Sequence, residues 1–582
     1  MINTKKKRNL LNIVLLVAGI VVSIIATYKT VYFGCDIDES YAITLSYRLV
    51  MGDHLFKEMW EVHQTSAIFM APLIWIYRRV VGNTIGMVVF LRMAGCVIQC
   101  LVAICLYRSL SKHIDKRSAC IMAFVFYNFS PKYLSVLEFC FLQYLFLTLL
   151  LICFLDYMHD GRKWHLIGMG LAMAGTVLAY PQTFFFVPLE YFLLWLIFKN
   201  REDGKKAAGN LFRVFGAEAV CGILFLGYVL MYVSPSELIE NIPMILADQS
   251  HSMPLIERIV SLVVEFFRFG FGLFVILFIY EMVGYIYKKK KGTELSWGRE
   301  ACLLVCMTVW LIPMLIYDGQ PGIRHLDTFY LIFAPLIGLG YLNLRTAKRH
   351  AMSKYIRMMQ GIMLAVFCGC CIGSNLTIYA NSGLLLPLLY LVWMEYLLNR
   401  EAEQQDKGIS RTAQNISFLL LLLLCAGFLT ARCTLVRFTS VQPKTVFEDM
   451  YQIGVGTGKG LYVTEKEHIQ YHSKMATLQK YVGVEDTVFY MGSDTYLSFL
   501  IGNQIAVPTS ISTPIYDHTV IEYYARYPYK MPDIIFVDKY YVNLSEMQYE
   551  GEFGEWLREN YDLEHVIDED FAQIVYRKQG DF

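Results

Sequence analysis

Apolar stretches recur through the first three quarters of the chain, and most of them end in Lys or Arg. A helix of about 20 apolar residues is long enough to cross the hydrocarbon core of a bilayer. The pattern predicts spans at 10–33, 85–107, 119–131, 133–156, 164–181, 183–198, 211–233, 261–287, 300–317, 328–344, 358–378, 383–398 and 415–433, about thirteen in all. Basic clusters at 108–117, 199–206, 288–291 and 345–349 mark the inner loops, because positive charge is retained on the cytoplasmic side. This threading keeps the N-terminus inside and sends 34–83 and the C-terminal segment outside. Two interfacial helices are expected within 34–83, at 39–51 and 66–80. The second is apolar but short and ends in Arg78-Arg79. An outer loop is expected at 234–258. Lys5-Lys6-Lys7-Arg8 precedes the first span, which lacks a small-residue cleavage site, so it reads as an uncleaved signal anchor.

The pattern changes at about residue 434. Short strand-like runs at 460–464, 487–491, 533–537 and 574–577 alternate with helical periodicity at 468–481 and 553–559. This predicts a small α/β domain with three layers. Gly454-Val455-Gly456-Thr457-Gly458 precedes a strand and reads as a turn, not as a nucleotide-binding loop. The expected fold is therefore an α-helical polytopic membrane protein, 1–433, carrying an extracytoplasmic α/β domain, 434–582.

Composition agrees with this division. The 582 residues are 56% hydrophobic, with a mean hydropathy of +0.43. Residues 434–582 hold 12 Lys and Arg against 22 Asp and Glu, whereas the rest of the chain holds 39 against 28. An acidic external domain argues against nucleic acid as a partner. None of the 15 cysteines falls in 434–582, so that domain has no disulfide framework.

Against this background one polar segment stands out. Asp36, Asp38 and Glu39 follow the first span directly, and acids at that depth are costly unless they have a function or a partner. Helix capping by an Asp ahead of 39–51 is the structural alternative. His63 opens the second outer helix, and Glu138 sits at the outer end of the fourth span with Lys132 as its nearest basic neighbour. External cations are Arg258, Arg268 and Arg324, with Arg92 in the outer half of the second span. Glu265 and Arg268 are spaced for a local ion pair. Arginine's planar fork suits phosphate oxygens.

The arrangement of a first span, an outer Asp38-Glu39-Ser40-Tyr41, amphipathic helices and many further spans resembles the GT-C glycosyltransferases. It is most similar to the protein O-mannosyltransferase and lipid A aminoarabinose transferase group. The resemblance implies a catalytic Asp38 with Glu39 beside it. It also implies contacts from His63, Glu138, Arg258 and Arg324 to the phosphate or sugar of the donor, although the prolines that the group carries after the basic residue are absent at His63-Gln64-Thr65-Ser66. Arg324, Tyr330 and Pro335 match a basic–aromatic–proline pattern late in the membrane part. The implied donor is a polyprenyl-phosphate sugar, and the implied acceptor is a glycan, lipid or protein outside the membrane. No cofactor or metal is required by this reading. Two other functions fit a polytopic chain: a transporter or flippase of lipid-linked saccharides, and a non-catalytic scaffold that displays the external domain.

Overall fold

The computed structural model describes residues 2–129, 135–246, 253–292, 328–346, 349–374, 378, 381–407, 411–436, 444–492, 502–511, 517–543, 548–567 and 573–579. Its helices are α1 (Ile2–Tyr32), α2 (Ile37–Val50), α3 (Ala67–Val81), α4 (Met87–Leu110), α5 (Lys116–Asn128), α6 (Phe139–Asp160), α7 (Trp164–Ala179), α8 (Val187–Arg201), α9 (Gly204–Tyr232), α10 (Pro235–Leu246) and α11 (Leu255–Lys291). Four more, Thr328–Arg345, Ser353–Ile372, Leu385–Lys407 and Arg411–Thr434, complete the helical part. Among the described residues seven helices are long and apolar enough to cross a membrane. The protein is an α-helical, multi-pass membrane protein.

Twelve of the expected spans coincide with a described helix. The span expected at 300–317 lies outside the described residues, as do Arg324 and Lys132. The segment expected as an outer loop, 234–258, is partly helical. It holds α10, and Arg258 stands in the first turn of α11. The helix around Glu138 also starts later than expected. Glu138 precedes α6 as its N-cap.

Backbones approach closely at two helical glycines. A Cβ at Gly95 of α4 would overlap the carbonyl oxygen of Ser135, and a Cβ at Gly170 of α7 would overlap that of Val214 on α9. Small residues at such crossings let backbones meet in the absence of a hydrophobic driving force.

The C-terminal segment opens with β1 (Leu435–Val436) paired to β2 (Lys444–Thr445), then a hairpin of β3 (Met450–Gln452) and β4 (Tyr462–Thr464). The glycine-rich 454–458 segment joins the hairpin's strands, as the turn reading expected. A mixed sheet follows in the order β5 (Val488–Met491), β6 (Ile534–Asp538), β8 (Gln573–Lys578), β7 (Tyr561–Ile567). Its β5–β6 pair is parallel and the other pairs are antiparallel. Helix Glu465–Tyr481 starts three residues earlier than its periodicity suggested, because Thr464 and Glu467 form a reciprocal capping box. Helix Asp517–Arg526 and strand β7 were not foreseen.

This segment packs against the first outer loop. The Gly34 amide donates to the Tyr462 carbonyl at 2.9 Å, and the Phe33 and Tyr462 rings stack with centroids 4.9 Å apart. The Gly86 amide, just ahead of α4, donates to the Gly456 carbonyl at 3.0 Å. The Trp60 amide donates to Pro508 at 2.9 Å. Residues 34–64 and the β3–β4 hairpin with 503–511 and 517–530 therefore share one side of the helical part.

Candidate functional site

The turn between α1 and α2 presents the acidic motif. Asp36 has extended backbone, φ −140° and ψ 145°, and its side chain accepts the Asp38 amide at 3.0 Å. Asp36 is thus the N-cap of α2. The next two acids fall in the helix's first turn, where the macrodipole favours negative charge.

Glu39 points into the protein and meets Arg92 of α4. Arg92 Nε reaches Oε1 and Nη2 reaches Oε2, each at 2.6 Å, and the two side chains are 0% and 1% exposed. The same guanidinium donates to the carbonyls of Phe33 at 3.1 Å and Gly34 at 2.9 Å. One arginine therefore ties the turn, the first turn of α2 and the bundle together. Glu39 was expected to be catalytic beside Asp38. Both of its carboxylate oxygens accept from the buried Arg92 guanidinium. Asp38 is half-buried on the first turn of α2, one residue before that clamp.

The far end of α2 is held to the C-terminal domain. Arg48 is buried and donates to Asp53 at 2.8 Å, Glu61 at 3.3 Å, and the carbonyls of Glu58 and Val507 at 2.6 Å each. Glu61 also accepts from the Ser510 hydroxyl at 2.7 Å and from the Ser510 amide. Burial pushes the Glu61 carboxyl above the usual carboxylate range, against the opposing pull of Arg48 and Ser510. For Glu58 burial acts in the same direction but is outweighed. The His54 amide and the Tyr529 hydroxyl, both at 2.8 Å, hold its carboxyl below that range. Lys530 pairs with Asp53. The contacts of Arg48 with Val507, Glu61 with Ser510, Glu58 with Tyr529 and Asp53 with Lys530 each span more than 400 positions, so the sequence did not reveal them.

His63 and Glu138 come together at the start of α6. The His63 ring stacks on Phe139 with centroids 4.0 Å apart and 9° between planes, and it meets Tyr180 at 4.9 Å. It is 6% exposed. Glu138 accepts the amides of Cys140 at 2.9 Å and Phe141 at 2.8 Å. Each was expected to touch a donor; in the described geometry the His63 ring stands in an aromatic stack and Glu138 caps α6. Arg258 is buried, and its Nε donates to the Cys371 carbonyl at 2.8 Å. The expected Glu265–Arg268 pairing is replaced. Glu265 accepts from the Ile378 amide at 2.7 Å and Ser261 at 3.3 Å, and Arg268 is exposed.

Among the described residues no group of three or more His, Cys, Asp or Glu is placed to hold a metal ion. The arrangement offers a fixed, half-buried carboxylate at the mouth of a helical bundle. Aromatic and cationic groups stand on neighbouring helices, and a polar domain packs against the same loop.

No family model matches the chain, and no curated protein matches it. Among solved structures it is similar to ArnT from Cupriavidus metallidurans bound to undecaprenyl phosphate, at 10% identity over 97% of each chain with a TM-score of 0.46. The apo state of the same protein matches at 11% identity over 97% of each chain, also with 0.46. The Archaeoglobus fulgidus oligosaccharyltransferase tethered to an acceptor peptide matches at 11% identity, 97% of this chain, 74% of that chain and a TM-score of 0.44.

Proposed function

We propose that the chain is an integral membrane glycosyltransferase that moves a sugar from a polyprenyl-phosphate carrier to an extracytoplasmic acceptor, with Asp38 as general base. The observation that carries this reading is the division of labour among three neighbouring acids. Asp36 caps α2 and Glu39 holds Arg92, so Asp38 sits on a helix turn fixed from both sides. A base must be held within hydrogen-bond reach of the proton it removes, and such fixing provides this.

In the proposed reaction the acceptor hydroxyl attacks the anomeric carbon and gives its proton to Asp38. The bond from that carbon to the phosphate oxygen breaks, and the lipid phosphate leaves with its electron pair. Arg324 and Arg258 balance the charge that develops on it, with His63 and Glu138 as further donor contacts. Attack opposite the leaving group inverts the anomeric centre. The division into a catalytic part at 1–433 and an acceptor-side domain at 434–582 belongs to the same proposal, as does the external placement of both Asp38 and the C-terminal domain.

The test is transfer of radiolabelled sugar from polyprenyl-phosphate sugars to membrane extract by the purified protein. Transfer by wild type and its loss in Asp38→Asn support the reading. Equal transfer by both removes the base from it. One observation favours a second reading, transport of a lipid-linked saccharide. Two acids, Glu190 and Glu218, stand within the membrane part, as acids do on transport pathways. Movement of a labelled carrier lipid across proteoliposomes without any sugar transfer would select that reading.

A further inference from the structure

A groove between α1, α4 and α5 takes no part in the site above. Its volume is about 350 Å³, within the range of small-ligand sites. Helix α4 lines it with Cys100, Ile104 and Tyr107, and α5 with Cys120, Phe124 and Tyr127. Both sets follow the i, i+4, i+7 spacing of a single helix face. Ile20 and Ile24 stand exposed on the α1 edge. Two polar side chains in the wall are already bonded within the protein. Ser23 Oγ accepts from Asn128 at 2.9 Å, and the Tyr127 hydroxyl shares a bond with Thr27 at 2.8 Å. What the groove offers is therefore apolar surface.

A second observation concerns its end. Continued by one turn, the lining rows reach Arg108 on α4, and Lys116 and Arg117 on α5, all three exposed. These cations belong to the basic cluster that marks an inner loop. The acids on this rim are engaged elsewhere. Asp115 turns back to cap α5, accepting the Arg117 and Ser118 amides at 3.1 and 3.0 Å, and Asp156 pairs with Lys112 at 2.9 Å. The seven-residue rows run about 10 Å along each helix, within the roughly 15 Å depth of one leaflet.

We propose that the groove seats one acyl chain of an anionic phospholipid from the leaflet at the basic ends, with its phosphate held by Arg108, Lys116 and Arg117. An apolar channel of leaflet depth that ends in three cations matches both parts of such a lipid. A neutral lipid leaves the cations without a counter-charge, and a soluble anion makes no use of the channel. The carrier lipid of the proposed reaction presents its phosphate at the opposite end, beside Asp38. The seated chain bridges α1 and α4, whose far ends lead into the Asp36 turn and carry Arg92.

The test places the full-length protein in nanodiscs of phosphatidylcholine containing phosphatidylglycerol with a photoreactive diazirine in mid-chain. After irradiation the adducts are mapped by peptide mass. They should concentrate on 100–107 and 120–127 relative to the exposed face of α9, and unlabelled phosphatidylglycerol should displace them where added phosphatidylcholine does not. Replacing the three cations together, Arg108→Gln, Lys116→Gln and Arg117→Gln, should cut this labelling by about tenfold or more and spare α9. Cys100→Trp fills the groove from an exposed position and should remove the labelling with the charges in place. Labelling no higher in the groove than on α9, or unchanged in either variant, would overturn the proposal. So would stronger displacement by polyprenyl phosphate than by phosphatidylglycerol, which assigns the groove to the carrier's tail.

Discussion

Arg92 and Glu39 meet through two bonds of 2.6 Å with both side chains buried. This pair fixes the rotation of α2 against α4 and with it the direction in which the neighbouring residue, Asp38, is presented. Breaking a buried pair from one side leaves an uncompensated charge, which costs about 3–5 kcal/mol. Arg92→Met or Glu39→Leu alone should therefore lower the thermal midpoint strongly. The double variant should lose less than the sum of the two, because it leaves no unpaired charge. Thermal unfolding in detergent of all four proteins checks this, and simple additivity counts against the clamp.

Asp38→Asn keeps the helix cap, which belongs to Asp36, and removes the proposed proton acceptor. Turnover should fall by about 10²–10⁴-fold while the folded protein still binds the donor. Asp36→Ala acts oppositely. It should lose about 0.5–2 kcal/mol of stability and keep a measurable turnover once folded. Transfer rates and unfolding midpoints of the two variants, compared side by side, separate base from cap.

The docking of the C-terminal domain should weaken in acid through Glu58. Its carboxyl lies below the usual range in the folded protein, so its contribution is present above the unfolded value of about 4.3 and is lost as pH falls through the folded value. The midpoint difference between wild type and Glu58→Gln should be largest near neutral pH and shrink toward zero below about pH 4. A difference that stays constant across this range would rule out the charge as its source.

Two glycine substitutions should behave differently. At Gly95 a Cβ has no room beside the Ser135 carbonyl, whereas at Gly216 nothing lies within 4 Å. Gly95→Ala should cost about 1–3 kcal/mol by overpacking. Gly216→Ala should be neutral or slightly stabilising, since alanine is the better helix former. Comparing unfolding of the two variants tests the close approach of α4 to Ser135 directly.

Val484 is 91% exposed in the C-terminal domain. A cysteine there, in an otherwise cysteine-free protein, should react with a membrane-impermeant reagent added to intact cells. Protection at Val484→Cys, with reaction only after lysis, would invert the orientation.

Local chemistry made much of this chain readable. Span positions follow from runs of apolar residues closed by Lys and Arg, because a bilayer constrains every helix that crosses it in the same way. Helices α2 and α3 and strands β4, β5, β6 and β8 could likewise be read from short-range periodicity. The exact start of helix Glu465–Tyr481 depended on side-chain capping, and helix Asp517–Arg526 carries too few apolar positions to stand out. Which of the neighbouring acids caps and which clamps is a different kind of question. Its answer depends on Arg92, 53 positions after Glu39, and on the hairpin that brings Tyr462 to Gly34. The pairing of Arg48 with Val507 is equally invisible along the chain. Sequence alone determined the elements and the acidic motif, because those are local in water and lipid. Only the tertiary structure decided the partners, because burial and charge pairing depend on which distant surfaces meet.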